Sequence, residues 1–259
     1  MDYFINYLKV APISHAIWRS KEAYCLLKLT GNKFERPILD LGCGFGEFAG
    51  VFYDNLVECG IDVSREDLIV AAKKKKFRDL VWADARKMPF HDESFSTVLS
   101  ISVLEHIKDV DKVFKEVYRV LKKDGLFIFS VPTKEINRKL IGARILRSLG
   151  LFRLEEFYIK IFHQSFVHKN IFSKRKWLSI LENTGFKLEG VSSTISSRQL
   201  LLFELFLPFA LPTQFFRMVF KRRLLFSLGL RVDLLSLLFS RFLDDDIDNW
   251  VNIMVKARK

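Results

Sequence analysis

The chain has 259 residues, 49% hydrophobic and 28% charged, which excludes a disordered polypeptide and allows one large domain with an elaboration. Its net charge is +12, nearly all of it in residues 132–259. That half is therefore expected to meet an anionic partner (a lipid surface, a phosphorylated substrate or nucleic acid) or to present a solvated basic surface. Three cysteines, Cys25, Cys43 and Cys59, are odd in number, which fits a reducing cytosol better than a disulfide framework.

In chain order, residues 1–35 read as a helical cap, with Ser14 as a helix N-cap and Gly31 as the stop. No basic stretch followed by a long apolar run opens the chain, so no signal peptide is expected. Strands are expected at 38–41, 55–62, 79–83, 95–102 and 126–131. A helix capped by Ser64 follows the second strand. Another covers 109–123, where Val110, Val113, Phe114, Val117, Val120 and Leu121 recur at helical spacing. This alternation argues for a parallel sheet covered on both faces. Residues 134–172 read as helical, basic and aromatic. Ser173 caps a further helix ending near Gly185, and strands six and seven are expected at 186–193 and 250–257. An apolar and basic helical insertion, 199–245, separates them.

The first strand runs into Asp40-Leu41-Gly42-Cys43-Gly44-Phe45-Gly46. Alternate glycines let the backbone turn tightly and approach a ligand that a β-carbon would exclude, and the next helix presents free N–H groups. Nicotinamide enzymes use a similar turn, but with the pattern G-x-G-x-x-G. Asp62 ends strand two, where a carboxylate accepts hydrogen bonds from adjacent ribose hydroxyls. Val63 follows it. Asp84-Ala85, after strand three, offers an acceptor to an adenine amino group, or forms an Asx-turn.

These stretches, with Val103-Leu104-Glu105-His106-Ile107 and Arg119-Val120-Leu121-Lys122, make residues 36–131 resemble the class I S-adenosylmethionine-dependent methyltransferases, in particular the ubiquinone/menaquinone-biosynthesis branch. Two details depart from that family: Lys123-Asp124-Gly125 stands for Pro-Gly-Gly, and Phe95-Ser96 for Phe-Asp. The resemblance implies an α/β fold with a doubly wound, seven-stranded, mostly parallel sheet whose last strand is antiparallel. It implies S-adenosyl-L-methionine as cofactor, held by Asp40, Gly42, Cys43, Gly44, Gly46, Asp62, Val63, Asp84, Ala85 and, on strand four, Ser100 or Ser102.

Methyl transfer needs a base only if the acceptor must lose a proton. His106 is the candidate base, or a residue that pins its loop; Glu105 orients the loop or a substrate group. His15, Arg19 and Glu22 share a helical stripe on the cap, either facing substrate or lying on the surface. His163 and His168 fall in the region expected to supply the acceptor pocket. No group of residues shows metal-ligand spacing, so no metal is expected.

Residues 199–243 are too apolar for an ordinary loop, yet their longest uncharged run is too short to span a bilayer. Asp233, Ser236 and Ser240 form a narrow polar stripe on an otherwise apolar helix. Basic residues beside apolar faces suit a helix lying in an anionic membrane interface; the alternatives are internal packing or a homodimer face. Basic residues set among Leu and Phe argue against nucleic acid. The expectation is a cytoplasmic enzyme, peripheral on the inner face of the membrane, that methylates a lipid-like or lipid-linked small acceptor. The alternative is a soluble small-molecule methyltransferase whose insertion forms a lid or dimer interface.

Overall fold

A computed structural model describes residues 3–220 and 250–259, with the backbone alone for 209–220. Two helices open the fold, α1 (Tyr3–Leu8) and α2 (Ile13–Thr30). Gly31 ends α2 in the left-handed conformation, its N–H bonded to the Leu27 carbonyl, as its lack of a β-carbon allows. The N-cap of α2 is Pro12, not Ser14; Ser14 lies inside the first turn and is buried, because the Pro12 carbonyl already accepts the first helical bond, from the Ala16 N–H.

Strands and helices then alternate: β1 (Ile38–Leu41), α3 (Glu47–Phe52), β2 (Val57–Asp62), α4 (Arg65–Lys73), β3 (Phe77–Trp82), β4 (Phe95–Ile101), α5 (Val110–Val120) and β5 (Leu121–Pro132). Ser64 caps α4 by accepting from the Asp67 N–H. The five apolar stripe residues of α5 from Val110 to Val120 are all buried, each removal from water contributing about 1.5–3 kcal/mol. Strand β5 starts earlier than its hydrophobic run, at Leu121, which pairs with Phe95.

After β5 come three helices, α6 (Glu135–Lys139), α7 (Ile141–Ser148) and α8 (Phe152–Ser165). Then follow α9 (Lys174–Asn183), capped by Ser173, β6 (Lys187–Ser193), α10 (Ser197–Phe220) and β7 (Asn252–Arg258). The sheet order is β3-β2-β1-β4-β5-β7-β6, with β7 antiparallel to both neighbours and the other pairs parallel. Helices α5 and α9 cover one face through Val113, Val117 and Trp177. On the other face α1, α2 and α3 bury Tyr7, Ile17 and Phe52. A third cluster, with Ile136, Phe162 and Phe203, joins α6, α8 and α10 beyond the strand ends.

The start of the insertion packs inward. Phe203 of α10 meets Trp18 of α2 with ring centroids 5.1 Å apart. Buried Glu204 accepts the backbone N–H groups of Ile141 and Gly142 at the start of α7. The amphipathic stripe of Asp233, Ser236 and Ser240 lies outside the described residues. Among those described, no helix is long and apolar enough to cross a membrane.

Candidate active site

The β1–α3 turn is built as its glycines demand. Gly42, Gly44 and Gly46 all have positive φ. A β-carbon on Gly42 would stand 2.3 Å from Val103 Cγ1, whereas one on Gly44 would enter open space. Gly42 thus allows β1 to pass the β4 loop, and Gly44 leaves room for a ligand. Cys43 contributes backbone: its N–H, with that of Gly42, donates to the Ile61 carbonyl.

At the end of β2, Asp62 Oδ2 accepts from the Gly44 N–H at 2.8 Å and Oδ1 from the Ser64 N–H at 2.9 Å. Each oxygen keeps lone-pair capacity for a further donor. Asp62, Val63, Asp84 and Ala85 line a cleft of ≈ 470 Å³ whose floor is Gly42 and Val103, a size that suits a cofactor. Asp84 does form the Asx-turn, accepting from the Arg86 N–H, and it is also clamped by the Arg86 guanidinium, which holds its carboxyl below the usual range.

Asp40 lies beneath the turn. Burial and the nearby Asp62 carboxylate raise it to about 7. Within electrostatic reach of Asp40 are Tyr7 and Tyr53, whose buried hydroxyls have no partner among the described residues. An open glycine cradle, a ribose-type carboxylate and orphaned hydroxyls together fit a nucleoside cofactor with a zwitterionic tail. Of the two strand-four serines, Ser102 reaches the cleft. Ser100 does not line it and is fully buried, its Oγ without a partner among the described residues; Ser102 lies past the end of β4, where a positive φ of 53° takes it out of the strand's alternation.

A second cavity adjoins the cleft and shares Ser102 and His106 with it. His15 and Arg19 of α2, Glu105, His106 and His168 line it, with Trp18, Phe162, Phe166 and Phe203 as apolar walls. His163 stands one layer back, its Nδ1 2.9 Å from His168 Nδ1 and its Nε2 2.6 Å from Asn137 Oδ1. The polar stripe on α2 is not a surface feature. Glu22 is fully buried, and its Oε1 accepts from Ser102, Ser130 and Asn252 side chains while Oε2 accepts from Arg19. Arg19 Nη1 also donates to the Ile101 carbonyl.

Glu105 and His106 sit on a short 3₁₀ turn, Leu104–His106. Asn170 fixes that turn: its Nδ2 donates to the Leu104 and Ile107 carbonyls, and the Lys169 and Asn170 N–H groups donate to the Glu105 carbonyl. Burial raises the Glu105 carboxyl to about 8. Burial, then the charges of Arg19 and Lys169, lower His106. Burial, then the two neighbouring imidazoles, hold His168 at about 3. Both shifts favour the neutral form of His106 and His168. Tyr7, Glu22, Asn170 and Asn252 were not legible as site residues, since no local pattern marks them; only the acid-bearing stripe of α2 hinted at Glu22.

Residues 39–129 match the model of the methyltransferase domain family. A demethylmenaquinone methyltransferase of Chlorobaculum tepidum is 30% identical over 71% of this chain and 78% of its own length. An uncharacterized methyltransferase of Bacillus subtilis, YcgJ, is 34% identical over 40% of this chain and 43% of that protein. The chain spans 36 to 63% of the length of three curated relatives it matches. Among solved structures, an S-adenosylmethionine-dependent methyltransferase of Thermotoga maritima, described as a possible histamine N-methyltransferase, superposes with TM-score 0.57 at 18% identity, covering 95% of this chain and 92% of that one. The [4+2]-cyclase SpnF superposes with TM-score 0.59 at 16% identity, covering 93% and 80%, so the fold alone does not set the reaction. Glycine turn, the carboxylate at the end of β2, sheet order and sequence relationship agree: the chain belongs to the class I S-adenosylmethionine-dependent methyltransferases, in their menaquinone-biosynthesis-like branch, with S-adenosyl-L-methionine as cofactor.

Proposed function

We propose that the protein transfers a methyl group from S-adenosylmethionine to a lipid-like or lipid-linked small acceptor at a membrane surface, on the cytoplasmic side. The observation that carries this reading is the two-sided character of α8. Phe162 and, just beyond the helix, Phe166 wall the acceptor cavity. Leu154, Phe157 and Ile161, spaced three and four apart on the other face, are exposed, as are Leu149, Leu151 and Phe152 before them. Arg153 and Lys160 stand among them in sequence, with Glu156, and Arg144 lies just before. Apolar groups beside cations suit an anionic lipid interface, and they lie one helix away from the cavity. The relative named demethylmenaquinone methyltransferase and another named malonyl-[acyl-carrier protein] O-methyltransferase are in keeping with an apolar or carrier-linked acceptor.

The cofactor supplies an activated methyl on a sulfonium. Asp62 and the glycine turn would hold it, Asp84 and Ala85 would meet its adenine, and Asp40 and Tyr7 would meet its amino-acid portion. His106, bordering both cavities, takes the proton of an acceptor hydroxyl, with Glu105 behind it; His15, Arg19 and His168 contact the acceptor. A second reading, a small-molecule acceptor under a lid formed by α10, is favoured by the inward packing of Phe203.

Vesicle flotation separates the two. The first reading expects binding to phosphatidylglycerol-containing vesicles, weakened by salt and lost in Leu154→Glu/Phe157→Glu/Ile161→Glu. Absence of binding to anionic and neutral vesicles alike would overturn it and leave the lid reading.

A further inference from the structure

We propose that Glu105, His106 and His168 form a binding site for one divalent transition-metal ion where the acceptor cavity meets the cofactor cleft. Their ligand atoms all lie within 4.8 Å of one another. Zinc- or iron-like ions bind nitrogen and oxygen at about 2.0–2.2 Å, so small side-chain rotations would close the set. Sequence spacing concealed it, because His168 comes from a segment that Asn170 pins to the Glu105 turn.

Three independent features point at an ion. First, Glu105 Oε2 is buried with no partner among the described residues, a costly arrangement for a carboxyl oxygen unless something else meets it. Second, His106 Nδ1 faces the Val167 carbonyl at 3.3 Å. A carbonyl only accepts, so the proton sits on Nδ1, and Nε2, 3.8 Å from Glu105 Oε1, keeps its lone pair.

Third, the tautomer of His168 is set at a distance. Asn137 Oδ1 accepts from His163 Nε2. His163 Nδ1 is then an acceptor, and His168 Nδ1 donates to it. The lone pair of His168 is thereby placed on Nε2. Metal-binding histidines are held by such outer partners. Two imidazoles and one carboxylate select zinc- or iron-like ions over magnesium or calcium and leave coordination positions open. Arg19, a nearby cation, is neutralised by Glu22 at 3.0 Å.

The use of this ion rests on the methyl-transfer reading: an acceptor hydroxyl taking an open position would be acidified, and His106 would then serve as ligand in place of base. The site itself does not depend on that reading.

The test is titration of the full chain with Co²⁺, read by ligand-field absorption, with far-UV circular dichroism and thermal unfolding measured on every variant to report an intact fold. One equivalent is expected to saturate the signal. His168→Ala and Glu105→Gln should abolish it, and His163→Ala should weaken Co²⁺ binding by about 10–100-fold. Asp62→Ala should lose cofactor affinity and keep the Co²⁺ signal. Absence of a saturable signal, or a signal unchanged in His168→Ala, would overturn the site. A preserved, triad-dependent signal in a protein that transfers no methyl group would support the site and sink the methyl-transfer reading.

Discussion

Replacing Glu22 by alanine tests how the cap is locked over the site. The carboxylate is fully buried and accepts from Trp18, Ser102, Ser130 and Asn252 through Oε1, at 2.6 to 3.3 Å, and from Arg19 through Oε2 at 3.0 Å. These donors come from α2, the β4 loop, β5 and β7, so one side chain ties the cap to three strands. Leaving each donor unsatisfied costs about 1–3 kcal/mol, but not all would stay so. The two serine hydroxyls rotate, Asn252 keeps Thr194 Oγ1 at 2.7 Å, and Arg19 keeps the Ile101 carbonyl. The dominant loss is the charge partner of Arg19, whose side chain is 21% exposed, so the expected destabilisation is about 3 kcal/mol, the low end of the range for breaking a buried ion pair. That is a large share of the 5–15 kcal/mol typical of a whole domain. Urea unfolding should show a lower midpoint with an unchanged slope. Glu22→Gln keeps an acceptor at Oε1 and turns an amide toward Arg19, so it should fall between the two. A Glu22→Ala loss below about 1 kcal/mol would refute the lock.

Asp62→Ala should weaken S-adenosylmethionine binding by about 1.5–3 kcal/mol, the range for bonds to a charged group, and calorimetry showing no change would mean the ribose site is elsewhere. Gly42→Ala should destabilise the chain, because its methyl would overlap Val103 and its φ is +76°; thermal unfolding reads this directly. Glu105, raised from 4.5 to about 8, binds its proton in the folded state where the unfolded chain has lost it. Its stabilising contribution is therefore complete below about pH 4.5 and is lost as pH rises toward 8. Stability of Glu105→Gln relative to the parent should rise over that window, and a flat difference would show that Glu105 ionises freely. His168, lowered from 6.5 to about 3, has the opposite sign: its contribution is present above 6.5 and is lost as pH falls. His168→Phe should flatten the acid limb of the stability profile.

The local grammar of this chain determined much of its architecture. A four-residue apolar run ending in alternating glycines must be a strand entering a tight turn, and β1 occupies 38–41 as expected. Ser64 and Ser173 cap the helices they precede, and the α5 stripe is buried, because caps and periodicity act within a few residues. Asp62 was likewise legible, its place at the end of β2 being fixed by the strand it terminates. Tertiary structure alone decided which distant groups meet. Glu22 reads in sequence as one charge on a helical stripe; it is a buried hub only because α2 crosses the ends of β4, β5 and β7. His168 joins Glu105 and His106 because Asn170 reaches back more than sixty residues, and Ser102 rather than Ser100 opens on the cleft because the chain leaves β4 at Ile101 and turns through a positive φ at Ser102. Hydrogen bonds between segments far apart leave no period, spacing or propensity in the chain, since their geometry exists only after the sheet has closed and water has left.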